Sequence, residues 1–221
     1  MTTTPAVITI DGAAGSGKST LGRGLAVALR LPYVNTGLMY RHLTYEALRT
    51  GTSTDDGPSL IRLLREIHFS LSDGYPPELL IQGLPTTRAL QTPRVEAEVS
   101  NVARHPEVRE FMRAEQRALG ELHGAVMDGR DIGSVVFPDA PLKLYLTADA
   151  GARVARRADE RTSTQAEVEA LLHTRDQKDA RVNPPEAPLG STVLDTASLG
   201  VRETLRAALE LVRVYAPELI P

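Results

Sequence analysis

AVITIDGAAGSGKST, residues 6–20, is the stretch on which the fold turns. AVITI (6–10) is a short β-branched apolar run, the pattern of a strand buried on both faces of a parallel sheet. GAAGSGKS (12–19) follows directly and matches G-x-x-x-x-G-K-[ST]. From Thr20 onward Leu21, Leu25, Ala28 and Leu29 recur at helical spacing, so the glycine loop feeds a helix. Strand, loop and helix in this order form a phosphate-binding device. Gly12, Gly15 and Gly17 reach backbone conformations closed to other residues, so that the N–H groups from Ala13, Ala14 and Ser16 onward can converge on phosphate oxygens. The first helical turn, through Ser19 and Thr20, adds unpaired N–H groups and a partial positive charge. Lys18 supplies a compact cation for β and γ oxygens, and the Ser19 hydroxyl suits a magnesium shell, so the expected ligand is ATP with Mg2+. A chance Gly-rich connection is the bland alternative, and the flanking strand and helix disfavour it.

Composition narrows the rest. A chain of 221 residues, 42% of them hydrophobic, buries one substantial core with insertions rather than two full domains. A formal net charge of -3 leaves no large basic face, which argues against nucleic acid as partner. Cysteine is absent, excluding disulfides, Cys-ligated zinc and thiol nucleophiles. No apolar stretch approaches membrane-spanning length and MTTTPAVITIDG does not read as a secretory leader, so the expected compartment is the cytoplasm and no membrane partner is expected. Lysine occurs only at Lys18, Lys143 and Lys178, which codon bias explains; Lys18 nevertheless stands where phosphate chemistry calls for that residue.

Along the chain, LPYVN (31–35) reads as a brief strand followed by a helix near 39–49, and GAVMD (124–128), LKLYL (142–146) and TVLD (192–195) read as further core strands. Strands alternating with helices predict an α/β fold, a doubly wound parallel sheet covered on both faces. Two stretches break the rhythm. Residues 61–94 carry short alternating runs, IHFSLS and ELLIQG, separated by DGYPP and LPTT, which predicts a small antiparallel insertion. Residues 152–189 are polar and arginine-rich, contain a helix near 166–175 and end in NPPEAPL, which reads as a mobile flap.

A GTPase would also carry a guanine-reading N-K-x-D, and no lysine here has that context. Arginine instead recurs where two polyphosphates could face each other. Phosphoryl transfer to an ionised phosphate oxygen needs no general base, but it needs positive charge, alignment and exclusion of water. In DGRDIG (128–133), Asp128 ends an apolar strand and can hold magnesium as the acidic partner of Ser19. Arg130 offers a planar fork for phosphate, and Asp131 can accept from an exocyclic amino group such as that of cytosine. Alone, such aspartates more often serve turns; the upstream phosphate loop favours the functional reading.

Separated motifs in consistent order make the chain resemble the bacterial cytidylate kinases over nearly its whole length. VITIDGAAGSGKST looks like that family's first strand and phosphate loop, and NTGLMYR (35–41) resembles its D-S-G-x-x-Y-R segment. SNVARHPEVR (100–109) and DGRDIGSVVFPDAP (128–141) are similar to its base-reading and phosphate-holding stretches. The resemblance implies a P-loop NTPase-like core (about 1–35, 106–151 and 190–221), an NMP-binding lobe with its extra sheet (about 36–105) and a lid (about 152–189). It implies ATP-dependent phosphorylation of CMP and dCMP by a monomer in pyrimidine nucleotide metabolism, with small-molecule nucleotides as partners. Thr36, Tyr40 and Arg41 would contact the acceptor, Ser100 and Arg109 the cytosine, and Arg175 and Asp179, in an R-D-x-x-D core, its phosphate and ribose.

Arg153, Arg156, Arg157 and Arg161 lie close together on a predicted helix, for which a solvated face is the bland reading. The resemblance implies that Arg157 and Arg153 reach ATP, with Lys18, Arg41, Arg130 and Arg157 carrying the transfer. Relatives place an arginine three residues after the second aspartate, whereas Arg181 follows Asp179 by two, so it receives no role. The five histidines show no metal-ligand spacing. Val201, Leu205, Leu209 and Val212 read as the core stripe of a terminal helix. Acceptors such as UMP, AMP or shikimate stay open within this core, as does a nucleotide-binding switch without turnover.

Overall fold

The computed structural model describes residues 6–159, 164–181 and 186–221. The chain begins with β1 (Val7–Gly12), α1 (Lys18–Leu29), β2 (Tyr33–Asn35), α2 (Thr36–Thr50) and α3 (Gly57–Leu64). Three short strands, β3 (Phe69–Leu71), β4 (Leu79–Ile81) and β5 (Leu84–Pro85), precede α4 (Pro93–Ala103) and α5 (Pro106–His123). Then come β6 (Ala125–Gly129), β7 (Leu142–Thr147), α6 (Ala150–Asp159), α7 (Gln165–Ala180), β8 (Thr192–Asp195) and α8 (Val201–Tyr215).

Five strands form one parallel sheet in the order β2-β6-β1-β7-β8. Every residue of β1 is buried, as a continuous apolar strand in the middle of such a sheet requires. Its faces divide the core in two. Ile8 and Ile10 pack with Leu25, Val126, Leu144 and Val212 beneath α1 and α8, while Val7 packs with Met39, Leu43, Met112 and Met127 beneath α2 and α5. The chain leaves β1 between β6 and β7, so the loop after it opens at the sheet's carboxyl edge where the strand order reverses, the usual ligand crevice of open α/β sheets.

The antiparallel insertion is present as β3-β4-β5, but it is smaller than 61–94. Residues 61–64 belong to α3, because Asp56 caps that helix through Ser59 N at 3.1 Å, Pro58 suits its first turn, and Leu60 and Leu64 bury a helical stripe. The loop before β4 docks on the main sheet. Tyr33 N donates to Pro77 O at 2.8 Å, the Tyr75 hydroxyl to Val27 O at 3.1 Å, and Arg23 pairs with Glu78.

In the 152–189 stretch the structure has two helices, α6 and α7; a reciprocal capping box of Thr164 and Glu167 sets the start of α7, which runs on past 175 to Ala180. Val168 and Leu172 bury themselves against Ala14 of the glycine loop. Arg161 and residues 183–185 of NPPEAPL lie outside the described residues. On α8 the fully buried line is Thr204, Ala208 and Val212, flanked by half-buried Leu205 and Leu209. Val201, at the helix start, is exposed, which corrects its assignment to the core stripe. Among the described residues no helix is long and apolar enough to cross a membrane.

Gly12 is where the sheet and the loop after it meet most tightly. Its φ is +143°, and a Cβ there would lie 2.3 Å from the Leu146 carbonyl oxygen of β7. Gly12→Ala should therefore lower stability by about 2 kcal/mol or more, read as a fall in the urea midpoint; an unchanged midpoint would refute the tight approach.

Candidate active site

The glycine loop runs from the end of β1 into α1, with Gly12, Gly15 and Gly17 all at positive φ. Ala13 and Ala14 carry carbonyls already engaged: Lys18 Nζ donates to Ala13 O at 2.7 Å and Arg153 Nη1 to Ala14 O at 3.2 Å. Ser16 is buried, and its carbonyl accepts from Thr196 Oγ1 at 3.0 Å. Gly17 caps α1 in a left-handed conformation without a side-chain cap, which leaves the first N–H groups of Lys18, Ser19 and Thr20 for an incoming anion. Burial, and next the guanidinium of Arg130, push the pKa of Lys18 below the ordinary lysine value.

Pairing of Ile10 with Asp128, and of Asn35 with Asp128 on the other side, brings the end of β6 beside the loop. Ser19 Oγ donates to Asp128 Oδ2 at 2.8 Å, and Tyr33 OH reaches the same oxygen at 3.3 Å. Asn35 Nδ2 donates to Ser19 Oγ at 3.0 Å, and Thr36 Oγ1 to the Asp128 carbonyl at 2.8 Å. Asp128 is buried, which raises its pKa, and its Oδ1 is a buried acceptor without a hydrogen-bond partner. A carboxylate and a hydroxyl in contact, with one carboxylate oxygen orphaned, are a donor set that fits a hard divalent cation such as Mg2+.

Asp11 holds the next segment in place. Its carboxylate accepts from Ile132 N at 2.9 Å and Gly133 N at 2.7 Å, so the turn after β6 is fastened to the end of β1. Burial raises its pKa to about 6, the cost of keeping a carboxylate at 1% exposure. Fixed in this way, Arg130 donates to Gly12 O at 3.0 Å and pairs with Asp179 at 2.7 Å. Asp131 Oδ2 takes two guanidiniums, Arg109 at 2.8 Å and Arg113 at 2.9 Å. Ser100 Oγ donates to Asp179 Oδ1 at 2.8 Å.

The remaining arginines converge from different elements. Arg41 on α2 is buried and donates to Leu90 O and to Glu96 Oε1, each at 3.1 Å. Arg175 on α7 donates to the same Glu96 oxygen at 3.1 Å, and Arg157 on α6 lies 3.8 Å from it. Burial first, and then the neighbouring guanidiniums, lower the pKa of Arg41 to about 10 and that of Arg175 in the same direction. Cations pressed together until they depress one another's protonation complement a polyanion. A cavity of about 1490 Å³ joins these groups; Lys18, Arg41, Arg109, Arg130, Arg157 and Arg175 all line it, with Thr36, Tyr40, Ser100, Asp131 and Asp179.

Among the described residues, the phosphate-loop, acceptor and lid candidates named from the sequence thus lie on or beside one cleft, except that Arg153 is turned onto Ala14 and Asp176. Arg181 is exposed at the end of α7. Sequence reasoning does not reach Asp11, Tyr33, Asn35, Glu96 or Arg113, and it names Arg156 only within an arginine cluster whose bland reading is a solvated face. Arg113 follows Arg109 by four residues on one helix face, a readable signal; Arg156 donates to Thr196 Oγ1 at 3.0 Å and so ties α6 to the loop after β8. Among the described residues no cluster of His, Asp and Glu forms a metal site of its own. Asp11→Asn replaces one acceptor by a donor facing a backbone N–H. It should lower stability by about 2–3 kcal/mol in urea titration, and an unchanged midpoint would show that the turn does not depend on Asp11.

Residues 8–214 match the family model described as cytidylate kinase. The cytidylate kinase of Roseiflexus castenholzii is 42% identical over 205 residues, 88% of this chain and 88% of that protein. The bifunctional pantoate ligase/cytidylate kinase of Synechococcus sp. (strain JA-2-3B'a(2-13)) is 39% identical over 208 residues, which are 89% of this chain and 38% of that protein's length. A gluconokinase from Sinorhizobium meliloti 1021 shares the fold, with a TM-score of 0.52 at 18% identity over 97% of this chain and 96% of that one. A glycine loop, an acidic strand end and a wall of arginines on one cleft, carried by a sequence that matches from its first strand to its last helix, establish that the chain belongs to the cytidylate kinase family.

Proposed function

We propose that this chain transfers the γ-phosphate of ATP to CMP, and to dCMP, giving ADP and the nucleoside diphosphate. The observation that carries the reading is the convergence on one cavity of Lys18 in the glycine loop with Arg41 from α2, Arg130 from the turn after β6 and Arg175 from α7. Lys18 suits the tail of a donor nucleotide and the three arginines the phosphate of an acceptor. Family membership supports the base assignment, and a nucleotide-binding switch or a shikimate, UMP or AMP kinase is not favoured by it.

In the proposed reaction an acceptor phosphate oxygen, already ionised, forms the new bond to Pγ while the bond from Pγ to the β-bridging oxygen breaks and its electron pair stays on ADP. No side chain has to remove a proton. Amides of residues 13–20 and Lys18 hold the donor phosphates. Arg41, Arg130 and Arg175 align the acceptor phosphate, and Arg157, with Arg153 and the rest of the lid, adds charge around the transferring group and keeps water out. Ser19 and Asp128 would hold Mg2+, which when bound neutralises charge on the donor phosphates. Arg109, Asp131 and Ser100 read the cytosine, with Tyr40 and Thr36 beside them and Asp179 at the ribose. Residues 36–105 act as the acceptor lobe and 152–189 as the lid of a monomer working in the cytoplasm.

A panel of acceptors with coupled ADP detection should give turnover with CMP and dCMP at least about tenfold above UMP or AMP, and none with shikimate; equal rates would contradict the base assignment. Lys18→Ala should lower kcat about 100-fold or more with an unchanged circular dichroism spectrum, and full activity would overturn the role of the loop. Arg109→Met should raise KM for CMP about tenfold or more while KM for ATP stays near its starting value. An unchanged CMP constant would count against Arg109 as a base reader.

A further inference from the structure

Glu96 is an acidic residue in the middle of a cationic site. Its side chain, on α4, is 1% exposed, yet none of its surface lines the cavity that Arg41, Arg157 and Arg175 face. It therefore stands behind those three arginines. Each comes from a different element: Arg41 from the helix after β2, Arg157 and Arg175 from the two helices of the 152–189 segment. Two donate to the same oxygen, Oε1, at 3.1 Å, and the third lies 3.8 Å from it. The α4 helix is also where α7 docks, through Ser100 to Asp179 at 2.8 Å and Lys178 Nζ to the Ala97 carbonyl at 3.3 Å.

A guanidinium has five N–H donors in a rigid fork, so a carboxylate can take one edge and leave the others for a phosphate. Three guanidiniums on one wall repel one another, and a long arginine side chain has many rotamers to lose before it points correctly. A single buried carboxylate meets both demands, because it offsets the repulsion and fixes the edge of each fork that faces away from the cavity. We infer that Glu96 is a positioning residue for phosphoryl transfer, holding Arg41, Arg157 and Arg175 from behind so that arginines of the acceptor lobe and of the lid present one preassembled wall to the two phosphates. This rests on the reading of the cleft as a CMP kinase site. Glu96 touches neither nucleotide in this account. Its influence passes through the arginines, and it couples lid closure to the acceptor lobe by giving both the same anchor.

The test is steady-state kinetics of Glu96→Gln and Glu96→Asp beside the wild type, normalised to folded protein from urea titration. Glu96→Gln keeps shape and removes the charge. It should lower kcat about tenfold or more and raise KM for CMP more than KM for ATP, because two of the three arginines serve the acceptor phosphate. Glu96→Asp keeps the charge at a shorter reach and should fall between wild type and Glu96→Gln in both respects. A merely structural role predicts a lower urea midpoint with kcat and both KM values of the folded fraction within about twofold of wild type, and that result would overturn the inference. So would equal rises in both KM values with no recovery in Glu96→Asp. Should Glu96→Gln fail to fold, Glu96→Asp decides alone: wild-type kinetics in it would refute the proposal, and a selective rise in the CMP constant with reduced kcat would sustain it. Failure of the wild type to phosphorylate CMP would instead defeat the functional reading itself.

Discussion

Everything in the cleft depends on β1 being hydrogen-bonded on both edges, to β6 along one and to β7 along the other. Parallel pairing in this register sets Asp11 beside Gly129 and Gly12 beside Leu146. The glycine loop therefore leaves the sheet next to the end of β6, where Asp128, Arg130 and Asp131 follow one another. A register shift of one residue would turn Asp11 to the other face and separate it from the backbone N–H groups it fastens. The positions of the glycine loop and of residues 128–131 are thus set by the sheet itself.

On that frame the buried carboxylates share out the cations. Asp128 faces Ser19 and leaves its Oδ1 without a hydrogen-bond partner, Asp131 gathers Arg109 and Arg113, Asp179 takes Arg130, and Glu96 anchors arginines from three helices. Each ion pair restricts a long, flexible side chain to one orientation, which is worth more to phosphoryl transfer than the pair's own contribution to folding. A donor triphosphate and an acceptor monophosphate repel each other strongly, and oriented guanidiniums beside a helix N-terminus are the groups that can offset that repulsion.

The glycine loop, the five core strands and the small antiparallel sheet are legible in the sequence because their signals are local: a motif of eight residues, apolar runs, turn residues at fixed offsets. Asp11 is not, since TIDG reads as a strand running into a turn and its partners lie 121 and 122 residues away. Tyr33 likewise reads as a strand aromatic until pairing sets its hydroxyl near Asp128. Glu96 stands close to Glu98 on an amphipathic helix, a pattern that ordinarily means a solvated face; α7 packing over α4 buries one and leaves the other at the surface with Thr54 and Asn101. The start of α7, by contrast, is written in Thr164 and Glu167, whose spacing is that of a capping box. Val201 fits a helical stripe by period, but it falls in the first turn of α8, where that face looks into the cleft.

The decisive measurement is a crystal structure with CMP and a non-hydrolysable ATP analogue. The analogue's phosphates should lie on the amides of residues 13–20 with Lys18 turned from Ala13 onto them, and the CMP phosphate between Arg41, Arg130 and Arg175 with the cytosine beside Arg109 and Asp131. A glycine loop that stays closed on its own lysine while either nucleotide binds elsewhere would contradict this arrangement.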